Sequence, residues 1–277
     1  MRKLGLIAGG GALPVRLAEH CLATARPLFV LRLSGFADEA LDGFDGQETG
    51  LAQLGAGIAA LRRARCEAVC FAGTVARPDL SKLKPDIRGL AVLPGAILAA
   101  RRGDDALLSF LMSEFEKEGF KIEGADEVMA SLVLQAGVLG QHAPRPDHLG
   151  EIERALAVAR AVGRLDVGQG AVCRGGVVLA VEAQEGTDAM LQRVCGLPLA
   201  IRGTPGDWAG VLAKAPKPGQ DTRVDLPTIG PTTVRLAHQA GLAGIVGEAG
   251  KILIVDRDKT VLLADDLGLF ILGADGV

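Results

Sequence analysis

The sequence predicts an α/β protein of two domains, the first of which is built on a parallel sheet. A chain of 277 residues is long enough for two domains that each bury their own core. Apolar residues make up 49% of it, but only 3% are aromatic and tyrosine is absent, which favours helix-on-sheet layers over a β-sandwich. Apolar runs of strand length also alternate with apolar residues at helical spacing, as in doubly wound sheets.

The N-terminal residues predict a strand, a glycine turn and a helix. Residues 3–8 form an apolar run, Gly9, Gly10 and Gly11 form the turn, and apolar residues at helical spacing surround Pro14. The alternation continues with predicted strands at 28–33, 68–72 and 120–123 and helices at 51–61 and 104–119. We therefore expect a Rossmann-like domain over residues 1–136.

The remaining chain predicts a linker and a second α/β domain. Residues 137–150 are rich in Gly, Pro and His and lack periodicity, so they are interpreted as the linker. The second domain, 151–277, has a predicted hairpin around Gly175 and Gly176. Its other predicted elements are helices at 152–162, 187–195 and 232–241 and strands at 211–214, 252–255 and 260–264.

Charge and cysteine content exclude several classes of protein. A net charge of -3, with both signs mixed along the chain, makes nucleic acid binding unexpected. Five scattered cysteines show no paired spacing and predict reduced core thiols in a cytoplasmic protein: Cys21, Cys66, Cys70, Cys173 and Cys195.

Membrane insertion is also not expected. The first residues already follow a strand pattern, so they do not resemble a signal peptide. The most apolar stretch, 90–100, contains Pro94 and is too short to span a bilayer. Any membrane contact is therefore expected to be peripheral.

The first domain offers a glycine-lined site for a nucleotide. Backbone N–H groups and the helix dipole after Gly9–Gly11 favour a phosphate, and a loop of Gly73, Thr74 and Val75 leaves the carboxyl end of another predicted strand. Pro14 replaces the third glycine of a dinucleotide fingerprint and no acid ends the second strand, so NAD is not expected. A purely structural turn remains the alternative. The candidate ligand-binding residues here are Gly10, Gly11, Ala12, Gly73, Thr74 and Val75.

Two adjacent acids precede the helix at 104–119. Asp104 is included among the candidate substrate-binding residues, and Asp105 is its neighbour. A helix cap at either acid is the simpler interpretation.

The second domain carries a denser set of polar residues. A predicted strand end at Glu182 runs through Glu185, Gly186, Thr187 and Asp188 into a helix bearing Arg193, and this segment could present N–H groups, a hydroxyl and carboxylates to a phosphate or a metal. A capped turn is the alternative. A further helix start, with Thr228, Gly230 and Thr232 around Pro231, is a second site for an anion.

The loop between these two helices combines cations and carboxylates. Lys214, Lys217 and Arg223 could neutralise phosphate oxygens, while Asp221 and Asp225 could hold a hard metal or orient water, as diphosphate hydrolysis requires. A solvated charged loop is the alternative. Sequence motifs of serine hydrolases, P-loop enzymes, Nudix enzymes and metallophosphoesterases are absent.

Several strings resemble the LpxI family almost from end to end. They lie at 7–14, 166–169, 178–188, 217–223 and 225–232. The second string includes Gln169, and in the last Asp225 stands in an Asp-Leu-Pro string. The resemblance implies two domains that hold UDP-2,3-diacylglucosamine between them and cleave it, with Mg²⁺, to UMP and 2,3-diacylglucosamine 1-phosphate. It implies Asp225 as the acid that serves metal or water, with Asp188 and Asp221 as weaker candidates, and attack at the phosphate next to the sugar.

The implied substrate and lipid product suggest transient contact with the inner-membrane surface, and a homodimer is left open. A non-catalytic carrier of nucleotide-sugar lipid precursors is the main alternative to an enzyme. A nicotinamide-dependent reductase is disfavoured because the acid after the second strand is missing.

Overall fold

The computed structural model describes residues 1–75, 83–204, 206–218, 221, 223 and 226–275. The chain divides into two compact units, each with its own core. The first comprises Met1–Ala130 together with Arg223, and the second comprises the other described residues from Ser131 onward. The predicted α/β class with two domains is confirmed.

The first unit is built on a parallel five-stranded sheet of order β3-β2-β1-β4-β5. Its elements are β1 (Leu4–Ala8), α1 (Ala12–Ala23), β2 (Leu28–Leu33), β3 (Gly46–Thr49), α2 (Leu54–Arg63), β4 (Ala68–Ala72), α3 (Ile87–Ala100), α4 (Asp104–Lys117), β5 (Lys121–Ile122) and α5 (Ala125–Val128). The chain moves outward from β1 to β3 and then returns to β4 on the other side of β1. The carboxyl ends of β1 and β4 therefore flank the point where the strand order reverses, which is where such sheets bind ligands.

Residues of β1 alternate between the two faces of this sheet. Ile7 packs with Ile58 and Leu61 of α2 on one face, while Leu6 is fully buried on the other. Gly5 lies directly beneath α2, because a Cβ there would be 2.4 Å from Leu61 Cδ2. A glycine is therefore required for α2 to pack this closely on the sheet.

The second unit contains a mixed six-stranded sheet of order β6-β13-β11-β9-β7-β8 and a parallel pair, β10-β12. Its elements are β6 (Gly137–Leu139), α6 (Leu149–Arg164), β7 (Gly170–Arg174), β8 (Val177–Val181), α7 (Gly186–Cys195), β9 (Val211–Lys214), β10 (Thr228–Ile229), α8 (Pro231–Gln239), β11 (Gly244–Glu248), β12 (Leu253–Ile254), α9 (Arg257–Leu267) and β13 (Phe270–Ala274). Strands β9, β11 and β13 are parallel, and β7 runs antiparallel to both β8 and β9. The carboxyl ends of β8, β9, β11 and β13 consequently share one edge.

Hydrophobic cores cover both faces of this second sheet. Val172 and Leu212 pack in the core that includes residues of α7 and α8, whereas Ala171 and Val211 pack with residues of α6. The hairpin between β7 and β8 is as predicted, and Gly175 and Gly176 adopt φ values of 54° and 77° at its turn. Positive φ at both central residues is what a two-residue hairpin turn requires.

Some predicted elements differ from the structure. Residues 260–264 were predicted as a strand, but they lie in α9, where Thr260 and Ala264 are buried one helical turn apart. Residues 137–150 were predicted as a linker, yet β6 pairs with β13, and 146–148 form a short 3₁₀ helix. Gly103, rather than an aspartate, is the N-cap of α4, so Asp104 begins that helix.

The apolar stretch at 90–100 is helical in the structure. Helix α3 runs through Pro94 and is 14 residues long. In the described parts of the chain, no helix is long and apolar enough to cross a membrane.

All five cysteines are free thiols, and all of them except the half-buried Cys195 lie in the core, as predicted for four of the five. Burial raises the pKa of Cys66 and of Cys173 to about 11. These thiols therefore stay protonated and unreactive near neutral pH.

A buried ion pair in the first unit offers a test of the fold. Arg26 Nη2 lies 2.7 Å from Glu123 Oε2, and the two side chains are only 11% and 8% exposed. Glu123→Ala leaves the guanidinium buried without its partner, so we expect the free energy of unfolding to fall by about 3 kcal/mol or more. Urea denaturation followed by far-ultraviolet circular dichroism measures this change.

The matched control is Glu19→Ala, which removes the carboxylate from the exposed Arg16–Glu19 pair. We expect it to cost at most about 1 kcal/mol. Equal losses for Glu19→Ala and Glu123→Ala would contradict the role given to the buried pair.

Candidate active site

The glycine loops of the first unit meet at the carboxyl edge of its sheet. Gly10 N donates to Thr74 O at 2.9 Å, and Thr74 N donates to Gly10 O at 2.9 Å. A Cβ on Gly9 would lie 2.7 Å from Thr74 O, and one on Gly73, whose φ is 91°, would lie 2.5 Å from Gly10 O. The two predicted loops are therefore in contact, and glycine is needed for that contact.

The helix that follows these loops has an open N-terminus. Gly11, with φ 91°, is the N-cap of α1, and it provides no side-chain cap. Gly11 and Ala12 are exposed, whereas Pro14 has no N–H group to contribute. The N–H groups of Gly11, Ala12 and Leu13 are thus the ones suited to an anion at this helix end.

In the second unit, a buried lysine and a buried glutamate lie on opposite sides of a glycine. Strand register pairs Gly170 with Lys214 on β9, and Glu182 N donates to Gly170 O at 2.9 Å. Lys214 is 4% exposed and Glu182 is 6% exposed. A Cβ on Gly170 would lie 2.5 Å from Glu182 Oε2, so the glycine makes space for the carboxylate.

A threonine hydroxyl connects the two buried charges. Lys214 Nζ donates to Thr187 Oγ1 at 2.8 Å, and Thr187 Oγ1 donates to Glu182 Oε1 at 3.1 Å. Lys214 Nζ also donates to the backbone oxygen of Thr228 at 3.1 Å. In the described part of the chain, Glu182 Oε2 is buried without a hydrogen-bond partner. The network fixes Thr187 in the first turn of α7 and leaves one carboxylate oxygen available.

The N-termini of two helices belong to the same region. Helix α7 begins at Gly186 and α8 begins at Pro231, and neither N-cap residue, Glu185 or Gly230, supplies a side-chain cap. The two helices pack against each other. Lys214 contacts both Thr187, in the first turn of α7, and Thr228, three residues before the start of α8. The positive N-terminal ends of both helices and the lysine cation therefore lie at the same edge of the sheet. The arrangement favours an anion such as a phosphate.

Other predicted cations are paired with carboxylates at the surface. Lys217 Nζ lies 2.8 Å from Asp166 Oδ1, and Arg223 Nη1 lies 2.9 Å from Glu116 Oε1. These pairs place neither side chain in the Lys214–Thr187–Glu182 network.

The predicted turn at the start of α7 carries its own ion pair. Arg193 Nη2 donates to Glu185 Oε1 at 2.5 Å and to Val181 O at 2.9 Å. Hydrogen bonds from backbone N–H groups, and then the Arg193 guanidinium, hold the pKa of Glu185 below its usual range. Asp188, in the first turn of α7, is exposed.

The remaining predicted residues are distributed as follows. Asp221 is half-buried, while Asp225 lies outside the described residues, as does the side chain of Asp104. Gln169 precedes β7, and its Oε1 is buried with no partner in the described regions. Strand alternation places Gln169 on the opposite face from Gly170 and Glu182.

Glu182 was missing from the predicted site residues. Its signal is an acid at the end of a strand whose hairpin partner begins with Gly170. Only the strand register shows that Glu182 and Gly170 lie opposite each other and that Lys214 lies on the other side of Gly170.

The described residues contain no group of three His, Cys, Asp or Glu side chains that could hold a metal ion. Mg²⁺ is commonly held by one or two carboxylates together with substrate phosphates, so a smaller donor set is compatible with it.

Comparisons with known proteins assign both halves of the chain to one family. A family model described as the LpxI N-terminal domain matches residues 3–132, and one described as the LpxI C-terminal domain matches residues 135–272. The chain is 62% identical over 275 residues to UDP-2,3-diacylglucosamine pyrophosphatase LpxI of Caulobacter vibrioides, covering 99% of this chain and 98% of that relative.

Thr187 provides a test of the buried network. Thr187→Val keeps the shape but removes both hydrogen bonds to charged groups, so we expect the second unit to lose about 2–3 kcal/mol of stability. Thr187→Ser keeps the hydroxyl and should lose less. Trp208, the single tryptophan of the chain, belongs to the second unit, so urea denaturation followed by tryptophan fluorescence measures the difference. Equal stability of the two variants would show that the hydroxyl does not hold the network together.

Proposed function

Since the chain belongs to the LpxI family, we propose that it is a hydrolase that cleaves the diphosphate bond of UDP-2,3-diacylglucosamine to UMP and 2,3-diacylglucosamine 1-phosphate. The observation that carries this proposal is the 62% identity to the Caulobacter pyrophosphatase over nearly the whole of both chains. The matches to both domain models support it independently of that one relative.

We assign recognition of the diphosphate to the helix starts of the second unit. The N-termini of α7 and α8 offer N–H groups and positive dipole ends to the phosphate oxygens. Hydrogen bonds of Thr187 to Lys214 and Glu182 hold the first turn of α7, and therefore its backbone N–H groups, in place. Lys214 is 4% exposed, so in this proposal it acts as a positioning residue rather than as a mobile clamp.

The first unit is assigned to the nucleotide. Its contacting loops at Gly10 and Thr74 leave the start of α1 open to an anion, as the N-cap geometry at Gly11 supports. Nucleotide recognition and hydrolytic groups are thus proposed to come from different halves of the sequence.

Carboxylates of the second half are proposed to serve the attacking water and a divalent cation. Asp225 is the first candidate, with Asp221 and Asp188 as further candidates. Glu182 Oε2, buried and without a partner in the described chain, is an oxygen donor of the kind that Mg²⁺ prefers. When bound, Mg²⁺ would neutralise charge on the diphosphate.

The alternative function is a carrier that binds the same lipid-linked nucleotide without cleaving it. The name of the Caulobacter relative favours the enzyme. Turnover must therefore be measured separately from binding.

The decisive measurement is release of UMP from UDP-2,3-diacylglucosamine by the purified full chain. We expect release with Mg²⁺ and its loss with excess chelator. Asp225→Ala should lower kcat by at least about 100-fold, because the water would lose its orienting carboxylate, while substrate affinity measured by calorimetry changes little. The control is Asp147→Ala, which removes an exposed carboxylate paired with Arg145.

Substrate binding by the wild type without any UMP release would support the carrier and overturn the enzyme. Full turnover by Asp225→Ala would refute only the role assigned to Asp225 and would leave the proposed reaction standing.

We also propose transient contact of a cytoplasmic protein with the inner-membrane surface, through helix α3. Only Gly89 of this helix is buried, while Ile87 is 89%, Leu90 57% and Leu98 63% exposed. These residues, with Ala91, Pro94 and Ile97, recur at helical spacing and form an apolar stripe. Arg101 and Arg102 follow the helix and are exposed, which suits an anionic lipid surface.

Co-sedimentation with vesicles tests this contact. We expect the wild type to bind vesicles that contain anionic lipid, and Leu90→Glu with Leu98→Glu to weaken binding at least about 5-fold, because charge would enter the acyl boundary. The control is Leu262→Glu on α9, where the leucine is 63% exposed. Unchanged binding by the α3 variant would contradict the proposal. Sedimentation velocity on the same variants shows whether the stripe instead joins two copies of the chain.

A further inference from the structure

The first residues after β9, 215–218, are attached to helix α6 and to the residue before β7. Ala215 N donates to Gln169 O at 3.0 Å, so the chain leaves β9 alongside the beginning of β7. A Cβ on Gly163, near the end of α6, would lie 3.3 Å from Lys217 Cα. The glycine therefore lets this segment lie directly on α6.

An ion pair completes the attachment. Lys217 Nζ lies 2.8 Å from Asp166 Oδ1, and the lysine side chain is only 16% exposed. A lysine that contacts a phosphate uses a flexible stem to carry its ammonium group to the ligand. The stem of Lys217 is instead covered, and its ammonium group is held by a carboxylate. These features favour a structural attachment over the phosphate contact that the sequence predicts for Lys217.

The end of helix α6 sets the position of Asp166. Asp166 N donates to Gly163 O at 3.0 Å, and Val167 N donates to Val162 O at 3.2 Å. These two bonds form a Schellman motif, in which the residue after the C-cap adopts the left-handed conformation. Asp166 has the corresponding φ of 54°, which aspartate tolerates better than most residues with a side chain. The carboxylate that holds Lys217 thus projects from a well-defined helix end.

Prolines on both sides of Lys217 extend this constraint along the chain. Pro216 and Pro218 each fix φ at about −65° and restrict the residue before them to extended conformations. Asp221 and Asp225, the candidate acids for water and metal, stand four and eight residues beyond Lys217. Misplacing a group by about 1 Å in an active site can cost about 100-fold in rate. The attachment of Lys217 therefore bears on the reaction without any contact between this lysine and the substrate.

We propose that Lys217 is a positioning residue of the proposed hydrolysis, and that its pair with Asp166 holds in place the start of the loop that carries Asp221 and Asp225. The pair acts through the loop, so it contributes to kcat rather than to substrate affinity. The proposal rests on the proposed function for the reaction that is measured. It also gives a role to the string at 166–169, which the proposed function leaves unused.

The test removes each charge in a variant that keeps the local shape. Asp166→Asn retains a residue that tolerates positive φ, and Lys217→Met retains the long apolar stem of lysine. We expect each change to lower kcat for UMP release about 10-fold and to change KM less than about 2-fold. The double variant should also lose about 10-fold rather than about 100-fold, because both changes break the same pair.

The matched control is Lys3→Ala. Lys3 is half-buried and lies 3.8 Å from Asp45, but it directly precedes β1, at the edge of the first sheet opposite the glycine loops. We expect this variant to leave kcat and KM unchanged. Thermal unfolding of all the variants shows that each one is folded at the assay temperature.

A direct phosphate contact by Lys217 predicts a different pattern. Lys217→Met would then raise KM, while Asp166→Asn would leave both constants unchanged, and this outcome overturns the positioning role. Losses that add in the double variant also overturn it, because they show that the two side chains act separately.

Hydrogen exchange tests the attachment apart from the reaction. The amide of Ala215, which donates to Gln169 O, should exchange faster in both single variants if the pair holds the segment in place. Exchange as slow as in the wild type overturns the attachment and leaves the proposed hydrolysis standing. A wild type that releases no UMP, with faster exchange in both variants, removes the hydrolysis and leaves the attachment standing.

Discussion

Strand pairing within each sheet is the constraint on which both units depend. A parallel strand needs a crossover, and the crossovers cover the sheet faces with helices, so polar ligand contacts are left to the edges. In the first unit this brings Gly10, after β1, against Thr74, after β4. In the second unit, β7 pairs antiparallel with both β8 and β9, and Gly170 at its start aligns Glu182, after β8, with Lys214 at the end of β9. Strand pairing thereby makes neighbours of residues that are far apart in sequence.

The cost of burying charge explains how the second edge is built. Lys214 and Glu182 are both almost fully buried, and each would be destabilising alone. Thr187 bridges them, so the pair is held through a hydroxyl rather than in direct contact. Lys217 instead remains paired with Asp166 near the surface. This edge therefore combines the N-termini of α7 and α8 with a bridged pair of buried charges.

Burial explains which strands of the first unit could be predicted from the sequence. Strands β1, β2 and β4 are short apolar runs flanked by turn residues, and they were predicted within a residue of their observed bounds. Strand β3, with the sequence Gly-Gln-Glu-Thr, lies at the sheet edge and has no apolar pattern, so it was not predicted. Strands β11 and β13 were also not predicted, although β11 is fully buried and β13 largely so. The segment 260–264, predicted as a strand, belongs to α9 and buries Thr260 and Ala264 one helical turn apart.

For the candidate site, local signals were predictable and long-range pairings were not. The glycine turns and helix starts are contiguous in sequence, so the loops at Gly10 and Thr187 could be identified. The partners of Lys217 and Arg223 are 51 and 107 residues away, and no sequence pattern pairs them. Glu182 stood in the motif at 182–188 but was not among the candidate site residues, since its pairing with Lys214 through Gly170 depends on the strand register.

Two glycines, which have no side chain, are as important to the packing of these sheet edges as the polar residues are. At Gly73 and Gly170, a Cβ would lie only 2.5 Å from a backbone oxygen and from a carboxylate oxygen, respectively. Gly73 follows β4 and Gly170 begins β7, so each glycine lets two groups at the edge of its sheet approach more closely than any other residue would allow. Glycine is therefore required at these positions by the contact between its neighbours rather than by the flexibility of the chain.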